Sequence, residues 1–190
     1  MSSPNILMTS APYHILSYGT LLGSTIFQSF IGGVIAFKSL PRAHFGQLQE
    51  KIFPYYFSLQ TALPIILAVT YPSTTNALGA TIAPGGVAGV TSAGNFWEVL
   101  VPVVGMTVSA AVNLVVVGPA TTEVRRERVH LETKEGRKHE QTPRSAEMEK
   151  ITKRFGMLHG VSTLLNLWGL VEMARYGVHL SRRLQYSKVF

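Results

Sequence analysis

The chain has 190 residues, of which 46% are apolar and only 14% charged, well below the roughly 25% charged fraction usual in soluble domains. Cys is absent, which excludes disulfides, Cys-ligated zinc and thiol catalysis. Asp is absent too, and most Glu residues sit in one stretch, so no Ser-His-acid set is readable. The net charge of +7 suggests nucleic acid until the charges are located. They lie beside long uncharged segments, as a membrane topology signal does, and lack the interleaved aromatics of a nucleic-acid surface.

Met1 to Pro12 carries no Lys or Arg, so it lacks the charged start of a secretory signal, and the first spanning helix is expected to direct insertion. Residues 14–37 then form an uncharged run of 24 residues. At about 1.5 Å per residue, roughly 20 residues cross a hydrocarbon core of about 30 Å. Lys38 to Lys51 places Phe45 and Leu48 at helical spacing among polar residues and reads as a short interfacial helix, with Pro41 in its first turn. A second span follows at 52–71, with Pro54 near its start and a kink expected at Pro64. Tyr55, Tyr56 and Tyr71 fall where an interfacial aromatic belt belongs.

Residues 72–95 are rich in Gly, Ala, Ser, Thr and Pro and read as an irregular loop; Gly85-Gly86 lacks the Lys-Ser/Thr of a phosphate loop. The third span covers 96–118, with Trp97 at the interface. The charged stretch 123–154 interleaves 10 Lys/Arg with 7 Glu, which suits a solvated helical segment. Thr142-Pro143 resembles a cap and first-turn proline, so a new helix is expected there, with Glu149 and Lys153 paired along it. That helix runs into a fourth span at 155–178, near whose end Glu172 and Arg175 are spaced to pair.

The pattern predicts one all-α membrane domain over residues 1–190: four transmembrane helices plus the interfacial helix. The two charged loops carry 13 Lys/Arg, against Arg182, Arg183 and Lys188 beside the termini. That imbalance places the loops in the cytoplasm and both termini on the lumenal or outer side.

Within the spans, His159, Ser162 and Asn166 share one helical face, which Asn113, Gln28 and Ser24 are able to meet. Such groups face a bundle interior, either as interhelical hydrogen bonds or as a ligand or ion path. Gly19 and Gly23, Gly105 and Ser109, and Gly156 and Gly160 recur at helix-packing spacing, for contacts within the bundle or with a second copy. Arg125, Arg126, Arg128, Arg182 and Arg183 are candidates for lipid headgroups. His14 and His159 enter the bilayer from opposite sides, so a shared haem or metal is not expected; His14 and His179 fall on one side. No zinc-type spacing is present, and the reading includes no cofactor and no metal.

Two motifs are more specific. Residues 37–57, FKSLPRAHFGQLQEKIFPYYF, and 154–167, RFGMLHGVSTLLNL, resemble the corresponding stretches of the transmembrane protein 205-like family. Weaker echoes are Phe96-Trp97-Glu98 and Pro119 to Thr122, and the loop 72–95 is longer than that family usually has. The resemblance implies a four-helix integral membrane protein of the secretory pathway, with export or trafficking as expectations and no catalytic residues to carry over. The expected function is therefore non-enzymatic: a multi-pass endomembrane protein packing with itself or within a heteromeric complex. The alternative is a small-molecule or ion carrier that uses the polar faces. The lipid bilayer is the expected partner, and nucleic acid is not.

Overall fold

A computed structural model describes residues 6–75 and 80–186, with side chains as far as Arg183. Lys188 and residues 76–79 of the long loop lie outside the described residues. The fold is all-α apart from one small ribbon. The long helices are α1 (Ala11–Ser39), α2 (Arg42–Val69), α4 (Ala93–Glu135) and α5 (Ala146–Tyr186), with a short α3 (Gly86–Val90) preceding α4. Helices α1, α2 and α4 are long and apolar enough to cross a membrane.

The helices alternate in direction. The start of α1 meets the ends of α2 and α5 where His14 contacts Thr70 and Tyr176. Between the helices, Leu21, Leu63, Leu67, Val99, Val103, Met106 and Met173 form the apolar core. Outward faces carry exposed apolar side chains, among them Leu16, Phe27 and Phe30 on α1, Ile65 on α2, Val108 and Val115 on α4, and Leu164 on α5. A girdle of that extent would be a severe aggregation liability in water and is an ordinary surface in lipid.

Several sequence expectations change at this level. The separate interfacial helix does not form, because α2 runs unbroken from Arg42 through both Pro54 and Pro64. The reason lies in packing: Gly46 and Glu50, in the first turns of α2, face Arg125 on α4. The turns therefore pack against α4 as a continuation of α2. The charged stretch begins helical, as its interleaved charges suggest. Helix α4 continues to Glu135 and stops at Gly136, whose φ of 64° is the left-handed conformation that glycine adopts without strain.

The cap of α5 is Ser145 and not Thr142: the Ser145 hydroxyl accepts the Met148 N–H at 3.0 Å, and the helix starts at Ala146. Thr142, Pro143 and Arg144 stay outside it. Val124, Leu131 and Met148 are buried where α4 and α5 extend together as a hairpin. Its surface carries the expected Glu149–Lys153 pair at 2.7 Å. Arg154 also lies 3.4 Å from Glu127.

Wide helical turns, with i to i+5 hydrogen bonding, interrupt α1 at Phe27–Gly32 and α4 at Phe96–Leu100 and Asn113–Val117. In α4 each one directly precedes a proline turn, at Pro102 and Pro119. A proline supplies no N–H to the turn before it, and a locally wider turn absorbs the missing bond.

The described residues of the segment 72–95 carry regular structure. Thr74–Thr75 pairs antiparallel with Thr81–Ala83, α3 buries Val90, and Asn95 donates to the Gly89 carbonyl at 2.8 Å. The Gly86 N–H is held by the Tyr71 carbonyl at 2.7 Å, which folds this segment over the end of the bundle near residue 14.

Candidate functional site

Most interior polar side chains are paired across helices. On α1, Thr25 donates to the Gln60 amide oxygen of α2 at 2.8 Å, and the Gln60 amide donates back to Ser24 at 2.9 Å. Gln28 donates to Gln49 at 3.2 Å. On α5, Asn166 accepts from the Tyr56 hydroxyl at 2.8 Å and donates to Ser29 at 2.9 Å. Asn113 is fully buried and donates to the Ser162 backbone carbonyl at 3.2 Å, while its Oδ1 has no partner. The space beside it, lined by Gln60, Ser109, Asn113 and Asn166 among others, is only about 10 Å³. A cavity of about 10–15 Å³ on this measure holds one water.

Of the six residues expected on an intramembrane polar face, Ser24, Gln28, Asn113 and Asn166 make interhelical hydrogen bonds through their side chains. Ser162 contributes its backbone carbonyl. His159 stands apart, exposed and stacked on Phe155 with ring centroids 6.1 Å apart. The partners Thr25, Ser29, Gln49 and Gln60 were not singled out from the sequence, and Tyr56 was assigned to the interface. Their signal was present: Gln49, Tyr56, Gln60, Leu63 and Leu67 recur at spacings of seven, four, three and four, the buried stripe of α2.

A second cluster occupies the end of the bundle bearing Ala11 and Tyr186. The Thr70 hydroxyl donates to the Ile66 carbonyl, so His14 Nδ1 donates to Thr70 at 3.1 Å. His14 Nε2 then accepts the Tyr176 O–H at 2.7 Å. A parallel chain runs from Tyr71 to His179 Nε2 at 3.1 Å and from His179 Nδ1 to the Glu98 carboxylate at 2.8 Å. Arg182 meets the same carboxylate at 3.1 Å, and Arg183 lies over the Tyr71 ring at 4.7 Å. Tyr56 and Tyr71, expected in an aromatic belt, are buried, whereas Tyr55 and Trp97 face outward. His14 and His179 share this end but engage separate tyrosines. Among the described residues, no group of three His, Cys, Asp or Glu side chains is arranged to hold a metal ion.

The small-residue pairs diverge. A Cβ on Gly105 would meet Glu172 Cγ at 3.0 Å, and Ser109 lies against Gly169, so this pair sits in the contact with α5. Gly19, Gly23, Gly156 and Gly160 face open space. The arginines also divide. Arg125 is half-buried and bonded to Glu50 at 3.1 Å, Arg126 reaches the same carboxylate from an exposed position, and Arg128 lies over the Phe155 ring at 4.2 Å. Arg182 and Arg183 lie at the opposite end of the bundle, Arg183 donating to the Pro72 carbonyl at 3.2 Å.

A helical chain with three helices able to cross a membrane, an exposed apolar girdle and interior polar groups paired between helices is consistent with a multi-pass membrane protein. Residues 16–130 match the model of a domain of unknown function, DUF4149, and the chain belongs to that family. It is also 30% identical over 173 residues to xanthocillin biosynthesis cluster protein D of Aspergillus fumigatus, covering 91% of this chain and 90% of that protein. No solved structure matches the chain.

Proposed function

We propose that the protein is a non-enzymatic, four-span membrane protein of the endomembrane system, which packs with itself or serves as a subunit of a membrane complex. The observation that carries this reading is the closure of its interior. Ser24, Thr25, Gln28, Gln60 and Asn166 bond to neighbouring helices, Asn113 keeps a single unpaired oxygen, and the space beside it is only about 10 Å³. A path for a solute needs more room and unspent polar groups.

The fourth span in this reading is α5. Met157, Val161, Leu164, Trp168 and Val171 are all exposed and recur at spacings of four and three, an apolar seam along one face. Arg154 and Arg175 bracket that seam, 21 residues apart, or about 31 Å of helix, close to the thickness of a hydrocarbon core. Asn166, Glu172 and Tyr176 turn to the interior, which lowers the average apolarity of α5 without exposing those groups to lipid. The charge distribution supports a cytoplasmic α4–α5 hairpin, and the resemblance of residues 37–57 and 154–167 to the transmembrane protein 205-like family supports an endomembrane.

A carrier or export-associated role is the second reading. It is supported by the relative whose name assigns it to a biosynthesis cluster, a setting in which a small molecule is made. Native mass spectrometry of the protein extracted gently from its own membrane separates the two. A stoichiometric foreign subunit or a self-assembly without bound solute supports the first reading. An oligomer that retains a small molecule, together with flux lost in Asn166→Leu while folding persists, replaces it with the second.

A further inference from the structure

We infer that the cleft between the start of α4 and the last turns of α5 binds the phosphate of an anionic phospholipid, whose acyl chains lie along the apolar seam of α5. The inference rests on α5 being a fourth span. The cleft, of about 260 Å³, is lined by Glu98, Arg175, Val178, His179 and Arg182. That is below the roughly 300–1,000 Å³ of pockets that engulf a drug-sized ligand, and it suits a headgroup whose tails remain outside.

Its two guanidinium groups are held from behind. Arg175 donates through NH1 to both oxygens of the buried Glu172, at 3.0 and 2.8 Å, and through NH2 to the Trp97 carbonyl at 3.0 Å. Arg182 donates through NH1 to Glu98 at 3.1 Å, and its other nitrogens make no hydrogen bond among the described residues. Glu98 is met a second time by His179 Nδ1. The arginine side chains nevertheless remain 44% and 59% exposed, so guanidinium donors stay accessible at the cleft. Guanidinium groups recognise phosphate by such paired donors. Arg175, Val178 and Arg182 continue the three- and four-residue spacing of the apolar seam, so cation and seam share one face.

A second copy is the poorer occupant. Two copies in one membrane, paired through this seam about a two-fold axis, would run their α5 helices in the same direction. Arg175 and Arg182 would then face their own counterparts, like charge against like.

The test titrates the purified full-length chain in detergent with phosphatidylglycerol and counts adducts by native mass spectrometry. One lipid per chain is expected, displaced neither by diacylglycerol with the same tails nor by inorganic phosphate. Arg182→Gln should weaken it about tenfold, the effect of losing one charge-assisted hydrogen bond. Val178→Glu, which adds an anion to the exposed lining, should do the same without touching the packed core. Equal binding by both variants, equal competition by diacylglycerol, or displacement by free phosphate overturns the inference. Protection of a Leu164→Cys thiol from a water-soluble maleimide reports on the span alone, so a failure of the span and a failure of the lipid site remain distinguishable.

Discussion

The Tyr56 hydroxyl donates to Asn166 Oδ1 at 2.8 Å, joining helices whose two residues are 110 positions apart in sequence. The same amide donates to Ser29, so one side chain fastens α5 to both α2 and α1. Asn166→Leu removes both bonds and leaves the Tyr56 and Ser29 hydroxyls with fewer partners in an apolar surround. The expected loss is about 1–3 kcal/mol, at about 0.5–1.7 kcal/mol for each such bond in a membrane bundle. Thermal unfolding in detergent measures it. Ser162→Ala, which keeps the backbone carbonyl that Asn113 uses, should stay within about 0.5 kcal/mol of the parent.

Gly177 makes room for Tyr18. A Cβ at that position would collide with the Tyr18 hydroxyl, which donates to the Met173 carbonyl at 3.0 Å. Gly177→Ala should therefore destabilise the fold by about 1–3 kcal/mol through overpacking. Tyr18→Phe removes the colliding atom, so the double variant should be more stable than the sum of the single changes implies. A double-mutant cycle with no coupling would refute this contact.

At the other end, Glu50 answers two arginines of unequal burial. Arg125 and Glu50 side chains are 17% and 16% exposed, whereas Arg126 is 69% exposed. Glu50→Gln strands Arg125 between helices and should cost about 2–4 kcal/mol, somewhat under the loss on breaking a fully buried pair. Arg126→Gln should cost less than about 1 kcal/mol, since an exposed ion pair contributes little. Gly46→Leu should resemble the first variant, because its side chain would enter the space that Arg125 Nε occupies. Chemical unfolding of the three proteins ranks them.

Charge absence and segment length made α1, α2 and the membrane part of α4 legible in the sequence, because a bilayer imposes both constraints directly. The Glu172–Arg175 and Glu149–Lys153 pairs were legible for a similar reason: helical spacing alone brings them together. What depends on neighbours was not. Nothing local announces that Gly46 fits against Arg125, and that contact turns the expected interfacial helix into the foot of α2. Ser145 displaced Thr142 as the cap because the first turn formed three residues later than the proline suggested. In the polar interior, Asn166, Asn113, Gln28 and Ser24 stood out as polar residues in apolar runs. Their partners Tyr56 and Gln60 were marked only by the helical spacing they share with Leu63 and Leu67, a weaker signal than a polar residue in an apolar run. Tyr71 was misplaced because an aromatic near a helix end suits either an interface or a buried hydrogen bond with His179.

The central claim is that α5 crosses the membrane, and the absence of Cys makes it directly testable with single-Cys variants. Lys150→Cys and Ser181→Cys lie at exposed positions on either side of the apolar seam. In sealed membrane vesicles, a membrane-impermeant maleimide should label one of them from outside and the other only after the membrane is opened, with Leu164→Cys protected throughout. Labelling of Lys150→Cys and Ser181→Cys from the same side, with Leu164→Cys reactive, would show that α5 lies outside the bilayer and would contradict the four-span account.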